Sequence, residues 1–267
     1  MSELVSSSIT VSCLKCKIHH THLILMLYNN LFQALAVNET WLPRCDHGQF
    51  FTGDFFTDNR VPYSTVFAGI PESYYNLFYK SRYAFHYIYE HISKEFDWYL
   101  KADDDTYVVV EHLRKYLSFL DPNKPYYLGY TLKPYLVSSF NQFYIWHFYK
   151  NENGYNAGGA GYVLSRAALK IFNEKLYINA TLCPDDIYED VGIGRCLASV
   201  GIFPHDTRNA LGQNRFNTHT PSDIFHSRMN NPKYTYFVEH KVRFAIYNLI
   251  VLLLFCFIFY TFNHFYF

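Results

Sequence analysis

The sequence predicts an α/β fold, with a mostly parallel central sheet and helices on both faces. Three observations predict it. Strand-like and helix-like stretches alternate through the middle of the chain, the pattern of a sheet with crossover helices. Half of the 267 residues are hydrophobic, and 26 Tyr and 25 Phe bring the aromatic share to 20%, enough to fill a large core. The apolar run "FDWYLKA" (96–102) breaks directly into Asp103, Asp104 and Asp105, and in such sheets ligands bind at the carboxyl ends of strands.

The elements follow in order. "HLILMLYNNLFQALAV" (22–37) is short and interrupted by Asn29, Asn30 and Gln33, so a buried strand followed by a helix explains it better than a membrane span. No signal peptide of the usual form precedes it. "SYYNLFYKSRYAFHYIYEHI" (73–92) places Tyr74, Leu77, Phe78, Ala84, Phe85, Ile88 and Ile92 at spacings mostly of three and four, an amphipathic helix. Residues 96–102 read as a strand ending at the aspartates. "TYVVVEHLRKYLSFL" (106–120) reads as a strand or turn entering a helix, stopped by Asp121-Pro122. "PYYLGY" (125–130) is a short strand. "GGAGYVLSRAALKIF" (158–172) is a glycine turn, a strand and a helix opening near Ser165. At the end, "FAIYNLIVLLLFCFIFYTF" (244–262) carries one Asn and no charge, long enough to cross a bilayer as a hydrophobic helix.

With 23 basic and 23 acidic residues, the chain has no excess of positive charge for a phosphate backbone, so nucleic acid is not expected as a partner. The aromatic richness suits sugar or nucleotide stacking and equally fits a compositional bias. "CLKC" at Cys13 and Cys16 has no second pair or His cluster at zinc spacing, which argues against a metal site. Cys183 and Cys196 bracket a short segment that a disulfide would close. Sequons at Asn38 and Asn179, with that cysteine pair, point toward a secretory compartment.

Three adjacent carboxylates repel one another unless a cation offsets them. Oxygen ligands suit Mg²⁺ or Mn²⁺, and a cation held by one or two carboxylates completes its shell with water and substrate phosphates. A solvated acidic turn or an N-cap cluster is the purely structural alternative. A second acidic set lies in "PDDIYEDVGIG" (184–194), with Glu189 and Asp190; acids at a helix start also complement the helix dipole.

"DWYLKADDDTYV", "GGAGYVLS" and "IYEDVGIGRC", in this order, resemble the β1,3-glycosyltransferases, most closely the core 1 group of glycoprotein-N-acetylgalactosamine 3-β-galactosyltransferases in glycosyltransferase family 31. "NETWLPRCD", "LGY" and "KPY" are similar to the same enzymes. The resemblance covers roughly residues 30–236. It implies a GT-A fold, a UDP-galactose donor, a Mn²⁺ cofactor, an O-linked GalNAc acceptor on Ser or Thr of a glycoprotein, and a Golgi membrane anchor with the catalytic domain lumenal. It further implies that Asp103 and Asp105 serve the metal, that Asp103, Asp104 and Asp105 together bind the donor, and that Asp190 is the base of an inverting displacement. Glu189, Gly159 and Tyr162 then line the acceptor side, Tyr162 packing beneath.

On this reading residues 1–21 are unassigned, 22–237 form the catalytic domain, incomplete at its C-terminal end, and 244–262 form the membrane segment. The resemblance also implies a strand cysteine to pair with Cys45, where this chain has "LILMLY", and a later metal-binding His, for which His226 and His240 are the substitutes on offer. Residues 138–153 read as an insertion. Lys233, Lys241 and Arg243 precede the hydrophobic segment, which by the positive-inside rule puts the body in the cytosol, against the lumenal placement the resemblance implies. The alternatives are a non-catalytic, chaperone-like or degenerate relative, and another β1,3-glycosyltransferase with a different donor. Homodimerisation stays open.

Overall fold

The computed structural model describes residues 21–26, 31–132 and 153–219. Its centre is a seven-stranded sheet in the order β3-β2-β1-β4-β8-β5-β9. The strands are β1 (Thr21–Met26), β2 (His47–Phe51), β3 (Tyr63–Ser64), β4 (Trp98–Asp103), β5 (Tyr127–Gly129), β8 (Tyr162–Ser165) and β9 (Pro204–His205). A second, two-stranded sheet pairs β6 (Thr131–Leu132) with β7 (Tyr155–Asn156).

The expected strand and helix within 22–37 are both present: β1 lies between β2 and β4, parallel to each, with Met26 opposite Asp103. The sheet is mostly parallel, as expected, except that β8 runs antiparallel between β4 and β5. The reason is local. The glycine turn at 158–161 sits beside the carboxyl end of β4, so the strand leaving it must run back along β4, and Tyr162 falls opposite Lys101.

Among the described residues five α-helices accompany the sheet: α1 (Leu31–Thr40), α2 (Leu77–Tyr87), α3 (Val110–Leu117), α4 (Arg166–Ile171) and α5 (Glu189–Ala198). The amphipathic spacing of 73–92 is realised as α2, a helical turn before it and a helical extension to Ile92. Tyr74, counted on the apolar stripe, is 40% exposed instead. It lies in a tight turn at Tyr74–Asn76, where about three residues per turn shift it off the stripe set by the 3.6-residue helix. Ser165 caps α4: its hydroxyl accepts from the Ala168 amide at 3.1 Å, satisfying a donor the helix start leaves orphaned.

Alternation along β4 sets Trp98, Leu100 and Ala102 on one face and Tyr99, Lys101 and Asp103 on the other. All but Asp103 are fully buried, so the strand is covered on both sides. On the Lys101 face, Phe85 of α2 meets Tyr162 at 6.2 Å between ring centres and Phe172 at 5.7 Å. Tyr127 meets Tyr162 edge-on at 5.5 Å. Replacing a buried ring such as Phe85 with Ala costs roughly 3–5 kcal/mol.

Cys183 and Cys196 form a disulfide, with Cα atoms 4.4 Å apart, as the sequence predicts. It fastens the loop before α5 to the body of that helix. Cys45 forms no disulfide among the described residues; its thiol faces the Trp41 carbonyl at 3.7 Å. No helix among the described residues is long and apolar enough to cross a membrane. The expected hydrophobic helix at 244–262, the residues 138–152 of the expected insertion, Cys13, Cys16, His226 and His240 lie outside the described residues.

Candidate active site

β4 delivers its two inward-facing polar residues, Lys101 and Asp103, to one point. Lys101 is 1% exposed. Its ammonium hydrogen-bonds Oδ1 of Asp103 and lies 3.6 Å from Oε2 of Glu189, the first residue of α5. The Tyr162 ring lies alongside, 5.8 Å from Nζ, and the Tyr162 hydroxyl donates to Oε1 of Glu189 at 2.6 Å. Burial works against the lysine's charge, but Asp103 and Glu189 outweigh it and hold the ammonium above the usual lysine range. An unpaired charge at this depth would be untenable, so one buried cation ties the end of β4 to the start of α5.

The glycine turn completes the join. The Gly158 amide donates to Oδ2 of Asp190 at 3.0 Å, and the Val191 amide donates to Oδ1 at 2.8 Å. Across the turn, the Thr106 hydroxyl donates to the Gly159 carbonyl at 3.1 Å and accepts from the Asp103 amide at 3.2 Å. Two of these glycines are sterically required. A Cβ on Gly158 would come 2.9 Å from Oε2 of Glu189, and one on Gly161, where φ is +69°, would come 2.9 Å from the Lys101 carbonyl. Gly159 is exposed, with open space where a Cβ would stand.

The aspartate trio is strongly unbalanced. Asp104 is 7% exposed, and burial, then the charges of Asp105 and Asp103, push its carboxyl up to about 8. Burial raises Asp103 to about 6 against the pull of Lys101. Burial and then Glu189 raise Asp190 to about 6, against the two amides that bond it. Asp105 is exposed.

Among the described residues no three His, Cys, Asp or Glu side chains gather into a metal cage. The donor set nonetheless fits a divalent cation that takes most of its shell from water and phosphate oxygens. Asp105 is open, Asp103 has one oxygen committed to Lys101 and one remaining, and the surplus negative charge around Asp104 is what such a cation would offset.

The acidic and glycine-turn residues singled out from sequence therefore gather at the carboxyl end of β4. Tyr162 is fully buried beneath Glu189, so it acts on the site only through that carboxylate. Asn38 lies in α1 with its side-chain amide donating to the Arg60 carbonyl at 3.2 Å, and Asn179 accepts from the Thr181 and Leu182 amides. Sequence reasoning missed Lys101 and Thr106. Lys101 stood two positions before Asp103 in a strand, a spacing that puts both on one face. Thr106 carried no comparable signal.

The relatives that this domain resembles are named as sugar transferases or synthases. A Fringe-like family model matches residues 33–231, and the chain belongs to that Fringe-like family. It is 33% identical over 190 residues to glycoprotein-N-acetylgalactosamine 3-beta-galactosyltransferase 1 of Xenopus laevis, covering 71% of this chain and 47% of that protein. It is 27% identical over 183 residues to chondroitin sulfate synthase 3 of Homo sapiens, covering 63% of this chain and 19% of that one. With beta-1,3-glucosyltransferase of Mus musculus it shares 24% identity over 167 residues, 62% of this chain and 30% of the relative. The chain thus spans about half the length of the first of these relatives and less of the others.

Proposed function

We propose that the protein is an inverting, cation-dependent transferase that moves galactose from UDP-galactose to the 3-OH of GalNAc linked to Ser or Thr of glycoproteins. The observation that carries this reading is the joining of two carboxylate sets, Asp103–Asp105 and Glu189–Asp190, through Lys101 and the glycine turn. The 33% identity to a named galactosyltransferase supports the choice of sugars. A GT-A type of sheet is the architecture this reading entails.

Asp103 and Asp105 would hold Mn²⁺, which when bound stabilises the charge that gathers on the diphosphate leaving group. Lys101 orients Asp103 from below. Asp104 faces the donor. Direct displacement inverts the anomeric centre and needs one base for the acceptor hydroxyl. Asp190 takes that proton, a role worth roughly a hundred- to ten-thousandfold in rate. The Gly158 and Val191 amides fix its orientation, and Glu189, held by Tyr162 and Lys101, positions the acceptor sugar. The disulfide supports assembly in an oxidising compartment of the secretory pathway. A Golgi membrane placement, with residues 244–262 as anchor, belongs to the same proposal.

The test is galactose transfer from UDP-galactose to a GalNAc-peptide, run beside calorimetric UDP binding with Mn²⁺ and with EDTA. Transfer together with Mn²⁺-dependent UDP binding supports the reading. Equal UDP affinity in EDTA removes the cation role. The named glucosyltransferase and chondroitin synthase relatives favour one competing reading, a β1,3-transferase with another donor, which a panel of UDP-sugars distinguishes.

A further inference from the structure

Three tyrosines stand exposed beside the base-bearing end of α5. Tyr188, directly before Glu189 and Asp190, is 49% exposed; Tyr74 is 40% exposed and Tyr75 68%. They form a continuous rim. The Tyr74 and Tyr188 rings meet edge-on at 6.4 Å between centres and 72°, and the Tyr74 and Tyr75 rings at 6.2 Å and 85°. None of the three is used in the core, in a chain that buries Tyr99, Tyr127 and Tyr162 completely.

The backbone beneath the rim is pinned. Ser73 accepts from the Tyr75 amide, and the Asn76 side chain donates to the Pro71 carbonyl at 2.7 Å. Asp186 accepts from the Tyr188 amide at 3.1 Å and is itself held by Arg195 at 2.9 Å. Rings presented on fixed backbone lose little freedom when a ligand lands on them. Tyr74 also lies within electrostatic reach of the site: after burial, the carboxylates of Asp190, Glu189 and Asp103 are among the groups that raise its hydroxyl above the usual tyrosine range.

We propose that Tyr74, Tyr75 and Tyr188 form a stacking corner for the pyranose ring of the acceptor, which presents its hydroxyl to Asp190. The corner rests on the transferase reading and deepens it. An aromatic face matches the C–H face of a sugar, while the phenolic hydroxyls and the adjoining carboxylates reach its polar edge. The corner serves the acceptor because Tyr188 belongs to the Glu189–Asp190 end of the cleft, whereas a diphosphate donor needs the Asp103–Asp105 end.

The experiment uses the full chain with Tyr74→Ala, Tyr188→Ala and the double variant, each checked for an unchanged melting temperature, which the exposure of these rings makes the expected result. With a GalNAc-peptide as acceptor, each single change should raise the acceptor KM about tenfold, the size of one lost ring contact, and move the donor KM far less. Tyr74→Phe and Tyr188→Phe should restore most of the loss. An unchanged acceptor KM in the double variant overturns the corner. If the unmutated chain transfers no galactose, the transferase reading fails by itself, and the corner is then judged by saturation-transfer NMR with methyl α-GalNAc and methyl α-galactoside. Saturation of ring protons that disappears in the double variant supports it. Saturation that is absent, or equal in both proteins, overturns it.

Discussion

The ammonium of Lys101 lies 3.6 Å from a carboxylate oxygen of Glu189, bridging the end of β4 and the start of α5 while hydrogen-bonded to Asp103. Removing one partner of a buried ion pair leaves the other uncompensated. Lys101→Met should therefore destabilise the domain by about 3–5 kcal/mol, measured by urea unfolding. Adding Glu189→Gln should recover part of the loss. If the double variant is no more stable than Lys101→Met, the pair does not share a charge.

Asp190→Asn should leave UDP binding nearly intact and lower transfer by roughly two to four orders of magnitude, the range for a general base. An Asn oxygen can still accept from Gly158, so the turn keeps its place. Turnover near that of the unmutated protein would sink the assignment and turn attention to Asp185 or Asp186.

The pH dependence follows from the same residue. Asp190 must be ionised to act, and burial holds its carboxyl up at about 6. Transfer at saturating substrates should fall as pH drops through about 6, nearing a tenfold loss for each further pH unit, rather than near the ordinary aspartate value of about 3.9. A profile flat down to pH 5 contradicts this.

Asp104 gives a stability signature. Its folded value, about 8, lies above the unfolded one, so the folded state holds the proton more tightly and the contribution to stability is lost as pH rises through about 8. Without divalent cations the melting temperature should fall between about pH 6 and pH 8 and level off above. Asp104→Asn should flatten that slope, and Mn²⁺ should raise the melting temperature more at pH 9 than at pH 7. A slope unchanged in Asp104→Asn would assign it to another group.

The Cys183–Cys196 disulfide closes a loop of 13 positions around Asp190, the proposed base, a size associated with roughly 3 kcal/mol in the chain-entropy model. Cys183→Ser with Cys196→Ser should lower unfolding stability by about that much, and reduction of the unmutated protein should match the variant. Equal stability in reduced and oxidised protein argues that the bond leaves the unfolded chain unconstrained.

Much of this was legible in the chain because the signals were local. The strand of 96–102, the helix within 73–92 and the Ser165 cap each rest on periodicity or a single capping side chain. The direction of β8 was not legible, since a short buried strand carries no mark of which way its neighbours run. Lys101 was readable through its spacing from Asp103, but a lysine inside an apolar strand has meaning only once Glu189, 88 positions later, arrives beside it. The tyrosine rim was hidden for the opposite reason: Tyr74 fitted a helical stripe that begins in fact at Leu77.

Because β8 runs back along β4 with Tyr162 opposite Lys101, the chemical frame is locked to a strand register. A slip of β8 by one residue would turn Tyr162 to the face away from Lys101. The tyrosine rim takes part in no such ladder. A change of acceptor can therefore be accommodated at the rim while the frame stays as it is. A lineage acquiring a new acceptor is expected to alter Tyr74, Tyr75 and Tyr188 long before it touches Lys101, Asp103 or Glu189, and sibling sequences should record that order of change.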